Sequence, residues 1–366
     1  MKILCIGTLP PPNHGQSVAF FSALKALRKD NSCKVISTSF RSDTNTGVLI
    51  KVAYYLFQVP FSLLFRRPDK VYFLCSRTLI GGFRDVYLLF FCLFTKAEVF
   101  NHLHGSDFDD YVKSLNPLYR VVVILLYKRV NEHAVLINGM QEQLASVAKA
   151  EKISVVNNFY QESLEIEKNI GIRVFSDEIK IFYLSSIMTS KGIFELIEAT
   201  KEISTGGIAV KLTIAGGFLG DRCLNAKETE EKFFSLIKDE SYINYVGVVN
   251  IEEKYQHLGV SDILALPSYY KSEAVPLCII EAMRMGCCIL TTRYKYLPML
   301  LKENVNGFLV EPQSVKDIVS KLIFISSNKE QLIAISKGNI KTAISKYGES
   351  KYHENIRKLL GVANSC

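Results

Sequence analysis

The chain has 366 residues, 48% hydrophobic and 22% charged, with a formal net charge of +8. That length exceeds one ordinary core and suits two domains, while the composition excludes a disordered or low-complexity chain. Residues 1–165 hold 19 Lys and Arg against 13 Asp and Glu, so the basic surplus lies mainly in the first half. It is scattered there, without the basic block or aromatic-interleaved stripe of a nucleic-acid groove.

Taken from the N-terminus, apolar runs of strand length alternate with segments of helical period, the pattern of a doubly wound α/β protein. MKILCIGTLPPP opens as a buried strand with no charged leader or apolar signal core. Nine cysteines without CxxC spacing fit a reducing cytoplasm and no metal site. The turn LPPPNHGQS precedes a helix near VAFFSALKAL; Gly15 there lets backbone approach a ligand closely or simply makes a turn, and His14 reads as a loop histidine. KVISTS and KVYFLCS are strands. Between them VAYYLFQVPFSLLF (Val52–Phe65), the longest apolar stretch, is broken by Gln58 and Pro60 and is short for a bilayer span. Followed by Arg66 and Arg67, it is suited to lying on an anionic membrane, or it is a core helix with solvated arginines at its end.

RDVYLLFFCLFTK reads as a helix leading into the strand AEVFNHLHG. His102 and His104 share one side of that strand and Asp107 follows its glycine turn. A metal pair would need further ligands, so a hydrogen-bonding role fits better. The helix PLYRVVVILLYKRV, the strand HAVLIN, the helix MQEQLASVA and the strand KISVVNN follow. Phe159–Asp177 has no period and reads as a linker.

The rhythm restarts with IKIFYLSS as a strand and GIFELIEATKEI as a helix. Lys191 stands at the start of that helix, where the macrodipole disfavours a cation unless an anion sits there; a solvated loop lysine is the alternative. VKLTIAGG, ETEEKFFSLIK, INYVGVV, IEEKYQHLG and DILALPS continue the alternation. SEAVPLCIIEAMRMG then carries Glu273 and Glu281 in an apolar setting. Pro276 suits the first helical position and Gly286 the C-cap. Glu273 falls in the loop before the helix, and Glu281 shares an i, i+3 stripe with Arg284. Either that stripe is a surface salt bridge on a half-buried helix, or both glutamates face something that wants hydrogen-bond acceptors. The strand CCILTT, the short strand NGFLVEP, two helices (VKDIVSKLIFIS and KEQLIAISKGNIKTAISKY) and a last helix GESKYHENIRKLL complete the chain.

HLHGSD, LSSIMTSKGIFELIEA, LTIAGG, YVGVV, SDILALPS, and SEAVPLCIIEAMRMG with NGFLV behind it together resemble the family 4 glycosyltransferases. The resemblance covers nearly the whole chain and is strongest from Lys180 to Pro312. It implies the GT-B architecture: two Rossmann-like doubly wound α/β domains facing across a cleft. The expected division is 1–165, an acceptor-side domain; 166–345, a nucleotide-sugar domain; and 346–366, a C-terminal helix returning to the first domain. It further implies that Glu273 lies beside the donor sugar, Glu281 holds the ribose hydroxyls, Lys191 and Gly15 meet the diphosphate, and His104 lies near the sugar. Glu273, Lys191 and His104 would be catalytic. Gly15, Gln16, Lys191, Glu273, Ala274, Val275, Leu277, Glu281 and Arg293 would bind the donor.

The sequence departs from the family in three respects. Ser185 or Ser186 stands where an arginine is usual, the acid and paired glycines after the TT strand are replaced by Arg293, Lys295 and Tyr296, and Met299 replaces a glutamate. Arg293 or Lys295 would then serve the diphosphate. The expected activity is retaining, metal-independent transfer of a hexosyl or N-acetylhexosaminyl group from a UDP- or GDP-linked nucleotide sugar. The expected acceptor is a polyprenyl-diphosphate-linked oligosaccharide of a bacterial lipopolysaccharide O antigen, capsule or exopolysaccharide, met at the inner face of the plasma membrane. The expectation includes no cofactor and no nucleic acid. A nucleotide-sugar epimerase and a non-catalytic protein of the same architecture are the alternatives.

Overall fold

A computed structural model describes residues 1–11, 14–39, 45–162, 166, 170 and 175–362. It divides into two compact units, Met1–Asn158 with Glu349–Cys366, and Phe159–Gly348. Most of the expected linker, and with it the expected 165/166 division, lies outside the described residues, as do Pro12 and Asn13 of the first turn.

The first unit is a six-stranded parallel sheet in the order β2-β1-β3-β4-β5-β6. Its strands are β1 (Lys2–Gly7), β2 (Ser32–Ser37), β3 (Lys70–Leu74), β4 (Glu98–His102), β5 (Glu132–Val135) and β6 (Ile153–Val155). The helices are α1 (Gly15–Arg28), α2 (Asn45–Leu64), α3 (Leu79–Cys92), α4 (Phe108–Ser114) and α5 (Pro117–Tyr127). MQEQLASVA, expected as an α-helix, makes only a 3₁₀ turn over Met140–Leu144.

α2 is one continuous helix through Pro60. Proline has no N–H to give the carbonyl four residues back, which would be left unpaired. Tyr87 of α3 supplies the missing donor, its hydroxyl lying 2.7 Å from the Leu56 carbonyl oxygen. Val52–Phe65 is thus the greater part of a 20-residue helix, not an interrupted segment. By length and composition Thr46–Leu64 is enough to cross a membrane. Tyr55, Val59 and Leu63 nevertheless pack it into this unit, at 2%, 0% and 0% exposure.

The second unit is also a six-stranded parallel sheet, ordered β12-β11-β10-β7-β8-β9. It comprises β7 (Ile179–Leu184), β8 (Val210–Ala215), β9 (Ile243–Tyr245), β10 (Ile263–Leu266), β11 (Cys288–Thr292) and β12 (Gly307–Val310). Its helices are α6 (Ile193–Thr205), α7 (Ala226–Ile237), α8 (Ile251–Val260), α9 (Leu277–Arg284), the single turn α10 (Leu297–Leu300), α11 (Val315–Ser327) and α12 (Lys329–Lys346). The order reverses between β7 and β10, which opens a crevice at their carboxyl ends, where sheets of this kind take ligands.

The last helix, α13 (Glu349–Leu359), packs on α1 of the first unit. Ser22 donates to Glu349 at 2.6 Å, the Tyr352 hydroxyl donates to the Ala19 carbonyl at 3.0 Å, and Arg357 donates to the Ala26 carbonyl at 3.0 Å.

Candidate functional site

In the second unit the loops after β7 and β10 meet at the topological switch point, and they carry Lys191 and Glu273. Lys191 ends a 3₁₀ turn, Thr189–Lys191, directly before α6. Gly192 then adopts a φ of 74°, and a Cβ there would stand 2.1 Å from the Pro267 carbonyl oxygen. Only glycine allows this loop to lie so close to the end of β10. The Lys191 ammonium is 2.7 Å from Glu273 Oε2 and 4.9 Å from the centre of the Tyr270 ring. Ser268 donates to the same carboxylate oxygen. Glu273 is 6% exposed, and among the described residues its Oε1 accepts no hydrogen bond. The hydroxyls of Thr189 and Ser190 are buried with no partner among the described residues. A cation and two hydroxyls without a partner among the described residues thus share the turn directly before a helix N-terminus, a chemistry suited to an anion.

Glu281 lies one turn into α9. The helix starts at Leu277, with Pro276 as its N-cap instead of its first residue, and Gly286 follows its end at a φ of 76°. The helix is buried, with Glu281 at 4% and Arg284 at 7% exposure, so the alternative of a surface salt bridge on a half-buried helix does not hold. The ionic partner of Glu281 is not Arg284 but Lys254 of α8, at 2.6 Å from Oε1. The Arg284 guanidinium lies 5.6 Å from the centre of the Tyr160 ring. Among the described residues Oε2 of Glu281 accepts no hydrogen bond. Both glutamates therefore keep one oxygen on a lysine and present the other as an acceptor.

Cys278, in the first turn of α9, registers both carboxylates: burial, then Glu281 and Glu273, push its thiol up to about 12. Ala274 and Val275 are buried in the loop before α9, and Leu277 is half-buried at its first position. Arg293 follows β11 and pairs with Glu303 at 2.6 Å and Glu311 at 3.2 Å. Its hydrogen bond to Glu303 holds its guanidinium above the ordinary value. Lys254, Ser268 and Cys278 were not among the residues expected from the sequence. The contacts of Lys254 and Ser268 are tertiary and leave no periodic signal.

The remaining candidates lie in the first unit. Gly15 opens α1, and His14 is its N-cap, not merely a loop histidine. Nδ1 of His14 accepts the Ser17 N–H at 3.1 Å, and the His14 N–H is 3.1 Å from Ser17 Oγ. Gln16 is half-buried beside them. β4 ends at His102, so His104 lies in the loop beyond it. The two imidazoles are 4.2 Å apart between ring centres. His102 shares a 2.9 Å hydrogen bond with the Tyr72 hydroxyl, whereas Nε2 of His104 is buried without a partner among the described residues. Burial, reinforced by His102, Arg77 and His14, holds His104 well below the ordinary imidazole value. It is a neutral ring near neutral pH, able to donate or accept one hydrogen bond. Asp107, after the turn, pairs with Arg77 at 2.6 Å. Among the described residues no group of three or more His, Cys, Asp or Glu side chains is arranged to hold a metal ion.

Residues 165–342 match the family described as "Glycosyl transferases group 1", a stretch holding Lys191, Glu273, Glu281 and Arg293 but not Gly15, Gln16 or His104. The chain is 25% identical over 201 residues to the amylovoran biosynthesis glycosyltransferase AmsK of Erwinia amylovora, covering 52% of this chain and 46% of that one. It is 23% identical over 173 residues to the lipopolysaccharide 1,2-N-acetylglucosaminetransferase of Salmonella typhimurium, covering 47% of this chain and 44% of the relative. It thus spans about half the length of these curated relatives. Among solved structures, HepE of Anabaena in complex with UDP superposes with a TM-score of 0.74 at 16% identity, covering 99% of this chain and 100% of that one. Sucrose-phosphate synthase of Thermosynechococcus elongatus gives 0.75 at 13% identity over 99% and 98%. At these identities the likeness establishes the fold, two Rossmann-like parallel-sheet units of the GT-B class.

Proposed function

We propose that the protein is a retaining glycosyltransferase of family 4 that moves a sugar from a UDP- or GDP-linked donor to a lipid-linked oligosaccharide in bacterial polysaccharide synthesis. One observation carries this reading. Glu273 and Glu281 are buried, each is neutralised by a lysine from another element, and each keeps one acceptor oxygen. The ion pair occupies one carboxylate oxygen of each residue and leaves the other accessible, so that a sugar or ribose hydroxyl would donate to it. The match of residues 165–342 to the glycosyltransferase family and the UDP complex of a structural neighbour point the same way.

In this reading Glu281 accepts from the ribose and Glu273 lies beside the donor sugar. As the glycosidic bond breaks, negative charge grows on the leaving diphosphate. Lys191 and the N–H groups at the start of α6 stabilise it, the preorganised electrostatics that usually dominate such steps. Ala274, Val275 and Leu277, beside Glu273 in the loop before α9 and its first turn, shape the donor pocket of the second unit. Charge is handled by side chains and helix ends, so no metal takes part. No protein nucleophile is required if a donor phosphate oxygen removes the acceptor proton. The group transferred is hexosyl or N-acetylhexosaminyl, and its acceptor is a polyprenyl-diphosphate-linked oligosaccharide at the inner face of the plasma membrane. Eight free cysteines among the described residues agree with a reducing cytoplasm.

Titration of UDP- and GDP-sugars followed by thermal shift identifies the base, and transfer to a lipid-linked acceptor tests the activity. Lys191→Ala should lower turnover by about 10²–10³-fold, and EDTA should leave the rate unchanged. Retention of activity within about threefold would pass the diphosphate to Arg293 or Lys295, and a Mg²⁺ or Mn²⁺ requirement would reject the metal-free mechanism. Nucleotide binding without transfer would favour a binding-only protein, a reading supported by the engagement of Arg293 with Glu303 and Glu311.

A further inference from the structure

α2, α3 and α5 cover one face of the first sheet. They touch one another: the Tyr87 hydroxyl of α3 donates to the Leu56 carbonyl of α2, and Phe83 of α3 lies 4.6 Å from Tyr119 of α5 between ring centres. A helix on such a sheet normally turns a polar side to water. These three turn an apolar one outward. Ile50, Phe57 and Phe65 of α2 and its end are 63%, 63% and 75% exposed, Ile80 of α3 is 81% exposed, and Leu118 of α5 is 84% exposed. An apolar face of this extent marks an interaction site.

The charges say what covers it. Residues 45–68, 76–97 and 115–131 together hold nine Lys and Arg and a single acid, Asp85. Asp85 is 1% exposed and is bound to Arg84, to the Ser76 N–H and to the Tyr127 hydroxyl. These segments therefore contain the entire +8 of the chain; the rest balances at 35 basic against 35 acidic residues. The placement is ordered as well. α2, α3 and α5 each run back to feed the parallel strands β3, β4 and β5, so their C-terminal ends lie along one edge of the face. Arg66 and Arg67, Lys96, and Lys128 with Arg129 stand at those three ends, all exposed.

We propose that this face docks in the plane of an anionic bilayer, its aromatic and aliphatic side chains in the headgroup–acyl boundary and its basic edge on lipid phosphates. A second protein would need exposed acid opposite this edge and an apolar face of matching shape, whereas a bilayer supplies both without shape matching. α2 lies along the surface and does not span it, because Tyr55, Val59 and Leu63 hold it in the fold. The inference deepens the lipid-linked-acceptor reading above but stands on this face alone.

The test is flotation of the full chain with vesicles of phosphatidylcholine containing about 30 mol% phosphatidylglycerol. Binding is expected to them, with loss of at least about tenfold on neutral phosphatidylcholine vesicles or in high salt. Alkaline carbonate should release the protein. Phe57→Ser with Phe65→Ser should weaken binding by about tenfold or more, and Arg66→Glu with Arg67→Glu by about 30-fold, both with unchanged UDP or GDP affinity and circular dichroism. Either pair alone supports the docking. Absence of binding to anionic vesicles overturns it, as does equal binding to neutral ones, retention through carbonate, or a wild-type dimer in sedimentation that the phenylalanine pair dissociates. Nucleotide affinity is read in the same preparations, so a failed docking is told apart from a failed donor site.

Discussion

Glu281 shows why one residue type in one place supports two readings. Its spacing from Glu273 and its apolar setting are legible in the sequence, but its partner is not, because Lys254 stands 27 positions earlier on another helix. The ion pair and the ligand role are compatible, each taking one carboxylate oxygen. Glu281→Gln should therefore lower donor nucleotide affinity by roughly 10–150-fold, the worth of one charge-assisted bond. It should also lower stability, by about 1–3 kcal/mol, since the Lys254 side chain is only 15% exposed and loses its counter-charge. Calorimetric titration of UDP and GDP beside melting of both forms checks this. A lower melting temperature with unaltered affinity would leave Glu281 a structural ion pair. His14 was illegible for a different reason: histidine is not among the usual N-caps, yet its Nδ1 fills that role for Ser17.

Whole elements were read well where apolar period and capping agree, and less well where a tertiary contact overrides local preference. α3 begins at Leu79, ahead of the expected start, because Thr78 caps the N–H of Gly81 and the two glycines are carried in the first turn. α2 survives Pro60 through a hydroxyl that lies 27 residues further on, which no local pattern reveals. The arrangement is testable by a double-mutant cycle. Tyr87→Phe should cost about 0.5–1.5 kcal/mol by leaving the Leu56 carbonyl without its donor. In a Pro60→Ala background the helix regains its own N–H, and the same change should cost close to nothing. Equal losses in both backgrounds would show that the Tyr87 hydroxyl does not stand in for the missing amide.

Across the whole chain, the alternation of strands and helices made two doubly wound units legible, because period and length survive averaging over many residues. How the polar groups distribute between the units was not legible, because burial depends on which elements meet. His102 and His133 lie in the sheet of the first unit, where burial pushes them down to about 3 and about 4. A folded value below the unfolded one of about 6.5 means that the unfolded state binds more protons between the two, so stability is lost as pH falls. Well below pH 6.5, each histidine should cost roughly 1.4 kcal/mol per pH unit until its folded value is reached. Asp85 opposes this at the acid end, since burial raises its carboxyl and protonation then favours the folded state. With His104 of the same unit likewise held down by burial, three histidines against one carboxylate leave acid destabilising. Hydrogen exchange read by peptide at pH 7 and pH 5 should show protection falling in β3, β4 and β5 of the first unit, with β7, β10 and β11 of the second unit little changed. Replacing His133 with Gln, whose amide can keep the 2.9 Å contact to Asn101 Oδ1, should remove roughly a third of that loss. An equal fall in protection in both sheets would mean that acid acts elsewhere than on these buried rings.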